Sequence, residues 1–228
     1  MRIRRVGLDA CRELGGAVVV VDVLRSFTTA AIGFAAGART LYAADDPERA
    51  RELAAAAPGA VTVGSRPGGA PIDGFDLPNS PARVAEGAID GRDIVMSTAG
   101  GVRGLVASER ADLLLAGSLV CAGATAALLR RERPSEVAFV ITGVWTDRDG
   151  DEDHACADLI EAMLFDPWVD PAPYEARVRA SDFGRRFTGP PHADLPAADL
   201  ECCARANRYG FAMRAQRHGA GVRLVPER

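Results

Sequence analysis

Short apolar runs recur along the chain, each closing on a small or polar residue and opening into a helix-like stretch. The first, Ala17-Val-Val-Val-Val21, is set off by Gly15-Gly16 and ends at Asp22. A run that is apolar at every position and rich in β-branched residues reads as a strand buried on both faces of a parallel sheet. The polar trio Ser26, Thr28 and Thr29 then opens an Ala-rich helix that closes at Gly37, before a short strand over Arg39–Ala43. Asp45-Asp46-Pro47 predicts a helix start, and Pro58-Gly59 stops that helix near Ala57; acidic caps and a proline in the first turn are the usual N-terminal signals.

The same unit returns twice. Asp93–Thr98 predicts a strand that passes through Ala99-Gly100-Gly101 into a helix and then the strand Asp112–Ala116. Glu136–Thr142 predicts another, followed by Gly143 and a helix near Glu152–Leu164. Strand, loop and helix in alternation predict a three-layer α/β/α fold with a largely parallel or mixed sheet, and such sheets bind ligands at the carboxyl ends of their strands. Asp22, Thr98 and Gly143 are therefore expected to converge.

Residues 64–81 (GSRPGGAPIDGFDLPNSP) hold five Gly or Pro in their first eight positions and show no period, which predicts a long loop; long loops in compact domains are commonly functional. Pro-rich stretches at 166–173 and 188–196 set off predicted helices at Tyr174–Phe187 and Ala197–Gln216 and a terminal strand at Val222–Val225. The expected organisation is an α/β core over residues 1–165 that carries the active-site loops, with residues 166–228 packed on the same domain.

Composition narrows the chemistry. All 27 basic residues are Arg, so a Schiff-base lysine, a P-loop lysine and a lysine-activated serine are excluded. Phosphate, if handled, must meet Arg, backbone N–H groups or a metal. The net charge of −4 argues against nucleic-acid or membrane-surface partners. Arginine is nevertheless concentrated at the end: residues 174–228 carry 10 Arg against 6 acids, readable as a solvated basic face or as a positive lid over an anionic substrate. Five cysteines without C-x-x-C spacing predict reduced thiols, and no run is long enough for a membrane span or framed as a signal peptide, so a cytoplasmic location is expected.

Asp22 at a strand end, followed by Arg25, Ser26, Thr28 and Thr29 at a helix start, is a coherent place for a metal-assisted phosphate site, since hard cations take carboxylate oxygens and helix N-termini attract anions. The acidic run Thr146–Asp158 crowds Asp147, Asp149, Asp151, Glu152, Asp153 and Asp158 around one arginine. Its Asp spacing imitates a calcium loop, but Glu152 occupies the position that needs glycine, so an EF-hand is rejected; a solvated acidic turn and a magnesium site both stand. No Gly-x-Gly-x-x-Gly follows a strand and no Gly-x-Ser-x-Gly is present, which leaves nucleotide-binding and serine-hydrolase readings without support.

Taken together, VVVVDVLRSFTTAA at 18–31, GFDLPNSP at 74–81, STAGGVRGL at 97–105, LLAGSLVCA at 114–122 and the acidic pair at 152–153 resemble the 2-phosphosulfolactate phosphatase family over about residues 16–160. That resemblance implies a magnesium-dependent hydrolase releasing phosphate from 2-phospho-3-sulfolactate, a step toward coenzyme M. It implies Asp22, Glu152 and Asp153 at the metal, Arg25 with Thr28 and Thr29 on the phosphate, and Ser26, Asn79, Ser80, Thr98 and Gly100 lining the same pocket. Arg66, Arg103 and the C-terminal arginines are candidates for the sulfonate. The partner expected is a small anionic substrate, with a homodimer left open.

The chain departs from the family pattern at Ser65, where glutamate is usual, at Ala99 and Gly101, where asparagine and threonine are usual, and at Cys121, where asparagine is usual. Lost donors can cost orders of magnitude in rate. The alternative expectation is thus a homologue that binds anions without turnover or with a shifted substrate.

Overall fold

The chain opens with strand β1 (Arg2–Gly7), then β2 (Ala17–Val21), helix α1 (Ser26–Ala35), β3 (Leu41–Ala43), α2 (Pro47–Ala56), β4 (Val61–Ser65), β5 (Leu77–Pro78), α3 (Pro81–Glu86), β6 (Ile94–Thr98), α4 (Gly101–Ala107), β7 (Leu113–Gly117), α5 (Ala122–Glu132) and β8 (Glu136–Ile141). A two-stranded ribbon, β9 (Val144–Trp145) and β10 (Arg148–Asp149), leads into α6 (Asp151–Phe165), α7 (Ala172–Ala180), α8 (Ala197–Cys203) and a closing hairpin, β11 (Ala212–His218) and β12 (Gly221–Glu227). The computed structural model describes residues 1–190 and 192–228.

Ten strands form one sheet in the order β1-β8-β2-β7-β11-β12-β3-β6-β4-β5. The first four are mutually parallel, as are the last four. Between these blocks the hairpin β11–β12 runs antiparallel to both neighbours, β7 and β3. The β2 run is buried at every position, as its unbroken apolar pattern predicts. Its alternate side chains enter different layers: Val18 and Val20 pack with Phe27 and Ala30 of α1 and Val102 and Leu105 of α4. Val19 and Val21 pack with Leu129 of α5 and Leu159 and Ile160 of α6 on the other face. Ala50 of α2 meets Val95 beside Ala44 in a smaller cluster. This is the three-layer α/β/α arrangement expected from the strand-loop-helix repeats.

Three local expectations change, the first being the helix predicted over Tyr174–Phe187, which stops at Ala180 and is followed by a separate 3-10 turn at Gly184–Phe187. The helix predicted over Ala197–Gln216 ends at Cys203, and residues 212–218 are strand instead. Gly210 interrupts the run, and Ala212, Met213 and Ala215 are buried against the sheet, so tertiary pairing overrides a helical composition. The C-terminal segment consequently supplies the two central strands that join the parallel blocks. The long loop at 64–81 is shorter than expected, because it begins inside β4 and contains β5. Strand β1 carried no clear apolar signal because it is an edge strand guarded by arginines: Arg4 pairs with Glu136, and Arg5 with Asp158 and Glu161. Among the described residues no helix is long and apolar enough to cross a membrane.

Candidate active site

The two parallel blocks run in opposite directions on either side of the hairpin, yet the loops after the carboxyl ends of their strands meet around a cleft of about 60 Å³, room for a handful of waters or a phosphoryl group. Asp22, Arg25 and Ser26 reach it from the β2 loop, Ser65 to Gly69 from the β4 loop, and Asn79 from the β5 loop. Thr98, Ala99 and Gly100 come from the β6 loop, Thr142 from the β8 loop, Trp145 and Arg148 from the ribbon, and Phe183 from beyond α7. Asp22 and Thr98 meet as expected; Gly143 sits one step behind, donating its N–H to Asp153 Oδ2 at 2.7 Å.

Asp22 is clamped from two sides. Its Oδ1 accepts from Ser26 N at 2.9 Å and its Oδ2 from Gly101 N at 2.8 Å. The second bond explains the glycine: a Cβ at 101 would lie 2.9 Å from Asp22 Oδ2 and 2.8 Å from the Phe27 ring. The threonine that the family resemblance leads one to expect would carry the same N–H, but its Cβ would not fit so close an approach. Ser26 Oγ in turn donates to Thr98 Oγ1 at 3.0 Å, which links the two strand ends across the cleft.

Arg25 is 3% exposed and buried against a carboxylate. Its Nη1 donates to Asp199 Oδ2 at 2.7 Å and to the Asp194 carbonyl at 2.8 Å, and its guanidinium lies over the Phe187 ring. Among the described residues its Nε and Nη2 donate no hydrogen bond, which leaves them for an anion in the cleft. Asp199 also accepts from Ser80 Oγ at 2.7 Å and from Ala82 N at 3.0 Å. Ser80 therefore acts behind Arg25 rather than on the ligand. Asn79 does line the cleft, with Nδ2 near Ser65 Oγ at 3.4 Å and a buried Oδ1 that has no hydrogen-bond partner among the described residues.

Thr28 and Thr29 do not line the cleft. Because α1 begins at Ser26, both lie deeper in its first turns: Thr28 Oγ1 donates to the Val23 carbonyl at 2.8 Å and meets Ser118 Oγ at 2.6 Å, while Thr29 Oγ1 is buried without a described partner. Ser26, Thr98 and Gly100 line the cleft in their place. Cys121 is likewise a core residue, 0% exposed, and burial pushes its thiol up to about 12; its difference from the family pattern leaves the cleft untouched.

Glu152 and Asp153 begin α6 and are both buried. Asp153 spends both oxygens on the backbone: Oδ1 accepts from Val23 N at 2.8 Å, and Oδ2 accepts from Thr142 N and Gly143 N. It ties the β2 loop to the β8 loop instead of offering lone pairs to a metal. Glu152 Oε2 has no hydrogen-bond partner among the described residues. Burial pushes Glu152 up to about 7, with the charge of Asp22 adding to the rise, and burial together with Glu152 and Asp22 holds Asp153 well above the usual carboxylate range. Among the described residues no three His, Cys, Asp or Glu side chains enclose a ready-made metal cage. Magnesium, however, is commonly held by one or two carboxylates plus phosphate oxygens and water. Asp22 fits that pattern, since it lines the cleft and accepts only one bond on each oxygen; Glu152 and Asp153 do not line the cleft, but Glu152 keeps an Oε2 with no described partner, whereas Asp153 Oδ2 already accepts three bonds.

The rest of the acidic run is relieved by arginine. Asp147 pairs with Arg186, and Asp151 and Asp158 with Arg177. These arginines belong to the basic C-terminal segment, where Arg179 and Arg214 also pair with Glu201 and Glu132. Among the described residues six of the segment's ten arginines are held in ion pairs and none lines the cleft, which argues against a positive lid. Asp199, Trp145 and Phe183 carried no sequence signal, since a lone acid and scattered aromatics have no diagnostic spacing. Arg148 had one, as the single cation inside the acidic run.

A family model for 2-phosphosulpholactate phosphatase matches residues 7–217. Among curated proteins the chain is similar to a probable 2-phosphosulfolactate phosphatase of Synechococcus sp. (strain CC9605), 32% identical over 212 residues that cover 85% of this chain and 86% of that protein. A probable 2-phosphosulfolactate phosphatase of Synechococcus sp. (strain RCC307) is 33% identical over 216 residues, covering 84% and 85%. One of Bacillus subtilis (strain 168) is 27% identical over 202 residues, covering 88% and 87%. With the cleft built on the strand ends that carry the shared motifs, and the match running through nearly the whole sheet, the chain belongs to the 2-phosphosulfolactate phosphatase family.

Proposed function

We propose that this protein hydrolyses 2-phosphosulfolactate to sulfolactate and phosphate, with magnesium as cofactor. The observation that carries the reading is the pairing, in one phosphoryl-sized cleft, of a fixed carboxylate with a buried guanidinium whose remaining donors are free: Asp22 held by Ser26 N and Gly101 N, Arg25 anchored by Asp199. Family membership and the names of the relatives support the substrate.

In this scheme the phosphoryl group lies between Arg25 and the β6 loop. Arg25 meets the negative charge on the equatorial oxygens, and Ser26 and Thr98 orient the group so that water can approach in line. Arg25 is oriented before substrate arrives, because Asp199 and Phe187 fix its guanidinium, so no reorganisation is needed as charge develops. Asp22 and Glu152 would hold the magnesium ion, which when bound withdraws charge from the phosphoryl oxygens. Asp153 keeps the β2 and β8 loops in register beneath the site.

A second reading, anion binding without turnover, is favoured by one feature: Ala99 brings no side-chain donor to the rim. Phosphate release from 2-phosphosulfolactate, measured with added Mg²⁺ and with EDTA, separates the two. The hydrolase reading expects steady phosphate release that EDTA abolishes, whereas tight binding of sulfolactate or phosphate with no release would favour the second.

A further inference from the structure

The cleft opens to solvent, so a substrate whose phosphoryl group lies against Asp22 and Arg25 can extend its other charged groups toward the rim. The carboxylate of 2-phosphosulfolactate sits on the carbon that bears the phosphate ester and stays beside the phosphoryl group. The sulfonate is one carbon further out and must reach the rim. Three arginines line the cleft: Arg25, Arg66 and Arg148. Arg25 is committed on one side to Asp199, and Arg66 is largely exposed and turned toward Asp73.

Arg148 differs from both. It stands on β10, and its guanidinium is held between two aromatic faces, 5.3 Å from the Trp145 ring centre and 4.3 Å from that of Phe183. Among the described residues it makes no hydrogen bond and no ion pair. Stacking on rings fixes the plane of a guanidinium while leaving its in-plane N–H donors open, the state suited to gripping a tetrahedral or planar oxyanion through two parallel bonds. Glu152 and Asp147 feel the charge of Arg148, but among the described residues neither accepts a bond from its N–H donors.

Resting on the phosphatase reading, we propose that Arg148, clamped between Trp145 and Phe183, is the specificity residue that binds the substrate's sulfonate. The ribbon β9–β10 is then the element that distinguishes a doubly functionalised phosphate ester from a simple one. Arg103 is the competing candidate: it makes no ion pair among the described residues and lines an adjoining cleft of about 520 Å³ that shares Ser65, Thr98, Ala99 and Trp145 with the first.

The test compares kcat/KM for 2-phosphosulfolactate with kcat/KM for 2-phospholactate, which lacks only the sulfonate, in the native protein and in Arg148→Met, Arg148→Lys and Arg103→Met. Loss of a charge-assisted contact should lower the ratio by about 10- to 100-fold in Arg148→Met, chiefly through KM for the sulfonate substrate, with partial recovery in Arg148→Lys. Arg103→Met should keep the native ratio. An equal fall for both substrates in Arg148→Met, or a fall in ratio that follows Arg103 instead, overturns the proposal. Calorimetric binding of sulfolactate against lactate reads the same contrast without turnover. A native protein that hydrolyses neither ester but loses sulfolactate binding in Arg148→Met would sink the phosphatase reading and keep this one.

Discussion

Asp22 owes its position to backbone donors on two separate loops, and the closest of these approaches, at Gly101, leaves no space for a Cβ. Gly101→Ala should therefore displace the carboxylate and lower kcat by about 100-fold, the size of effect that an ångström of misplacement produces; stopped assays at saturating substrate read it, and an unchanged kcat would show that Asp22 need not be so placed. Asp199 presents the complementary case. It is 0% exposed and joins Arg25, Ser80 and Ala82, so Asp199→Asn leaves a buried guanidinium unpaired and should cost about 3 kcal/mol in urea unfolding, along with much of the phosphate affinity. Asp22, Arg25, Ser26, Thr98 and Gly100 were legible in the sequence because each follows a strand end or opens a helix, whereas Asn79 was reached only through the family resemblance, its strand β5 lying inside a stretch read as loop. Thr28 and Thr29 were misassigned for a reason of phase: a helix turns its later residues into the core, and hydroxyl composition does not reveal where the first turn begins.

Elements followed the hydrophobic pattern where a buried strand was also an unbroken apolar run, but not at β4, whose five buried positions include Thr62, Gly64 and Ser65. The runs at β2, β6, β7 and β8 were readable because each apolar position faces a helix layer on one side or the other. Of the hairpin β11–β12 only the second strand was readable, as the terminal strand at Val222–Val225; β11 alternates buried apolar residues with Arg214 and Gln216, a pattern that a helix of the same composition also presents. Its place between two parallel blocks is a long-range fact that local periodicity does not carry. Leu224 is 1% exposed in the core and central to this join. Leu224→Ala should lose about 3 kcal/mol, measured by chemical denaturation, and a loss below about 0.5 kcal/mol, the scale of an exposed substitution, would mean the hairpin is dispensable to the sheet.

For the molecule as a whole, the buried acids at the start of α6 link stability to pH. Glu152 is raised to about 7 and Asp153 is also held well above its usual range, both chiefly by burial. A carboxyl whose folded pKa lies above its unfolded value favours the protonated form on folding, so its contribution is complete below about pH 4.5 and is lost as pH rises through 7. Glu152 alone should account for about 3 kcal/mol across that window, a fall in Tm of about 6 °C or more. Thermal unfolding in EDTA from pH 5 to 8 should show this decline, and Glu152→Gln should flatten it; equal slopes for the two proteins would contradict the assignment. If Asp22 and Glu152 hold magnesium, added Mg²⁺ should raise Tm more at pH 8 than at pH 5. The layered fold and the family were both within reach of the sequence, whereas the ion pairing of the C-terminal arginines, which turns an apparent lid into internal neutralisation, depended on contacts between distant segments. The central claim is that Asp22 makes this cleft a phosphatase. Its most direct test is phosphate release from 2-phosphosulfolactate, with Mg²⁺ present, by the native protein and by Asp22→Asn, each checked for folding by circular dichroism. The account predicts turnover by the native protein and a loss of at least about 1,000-fold in the folded variant; a folded Asp22→Asn protein that releases phosphate at the native rate would contradict it.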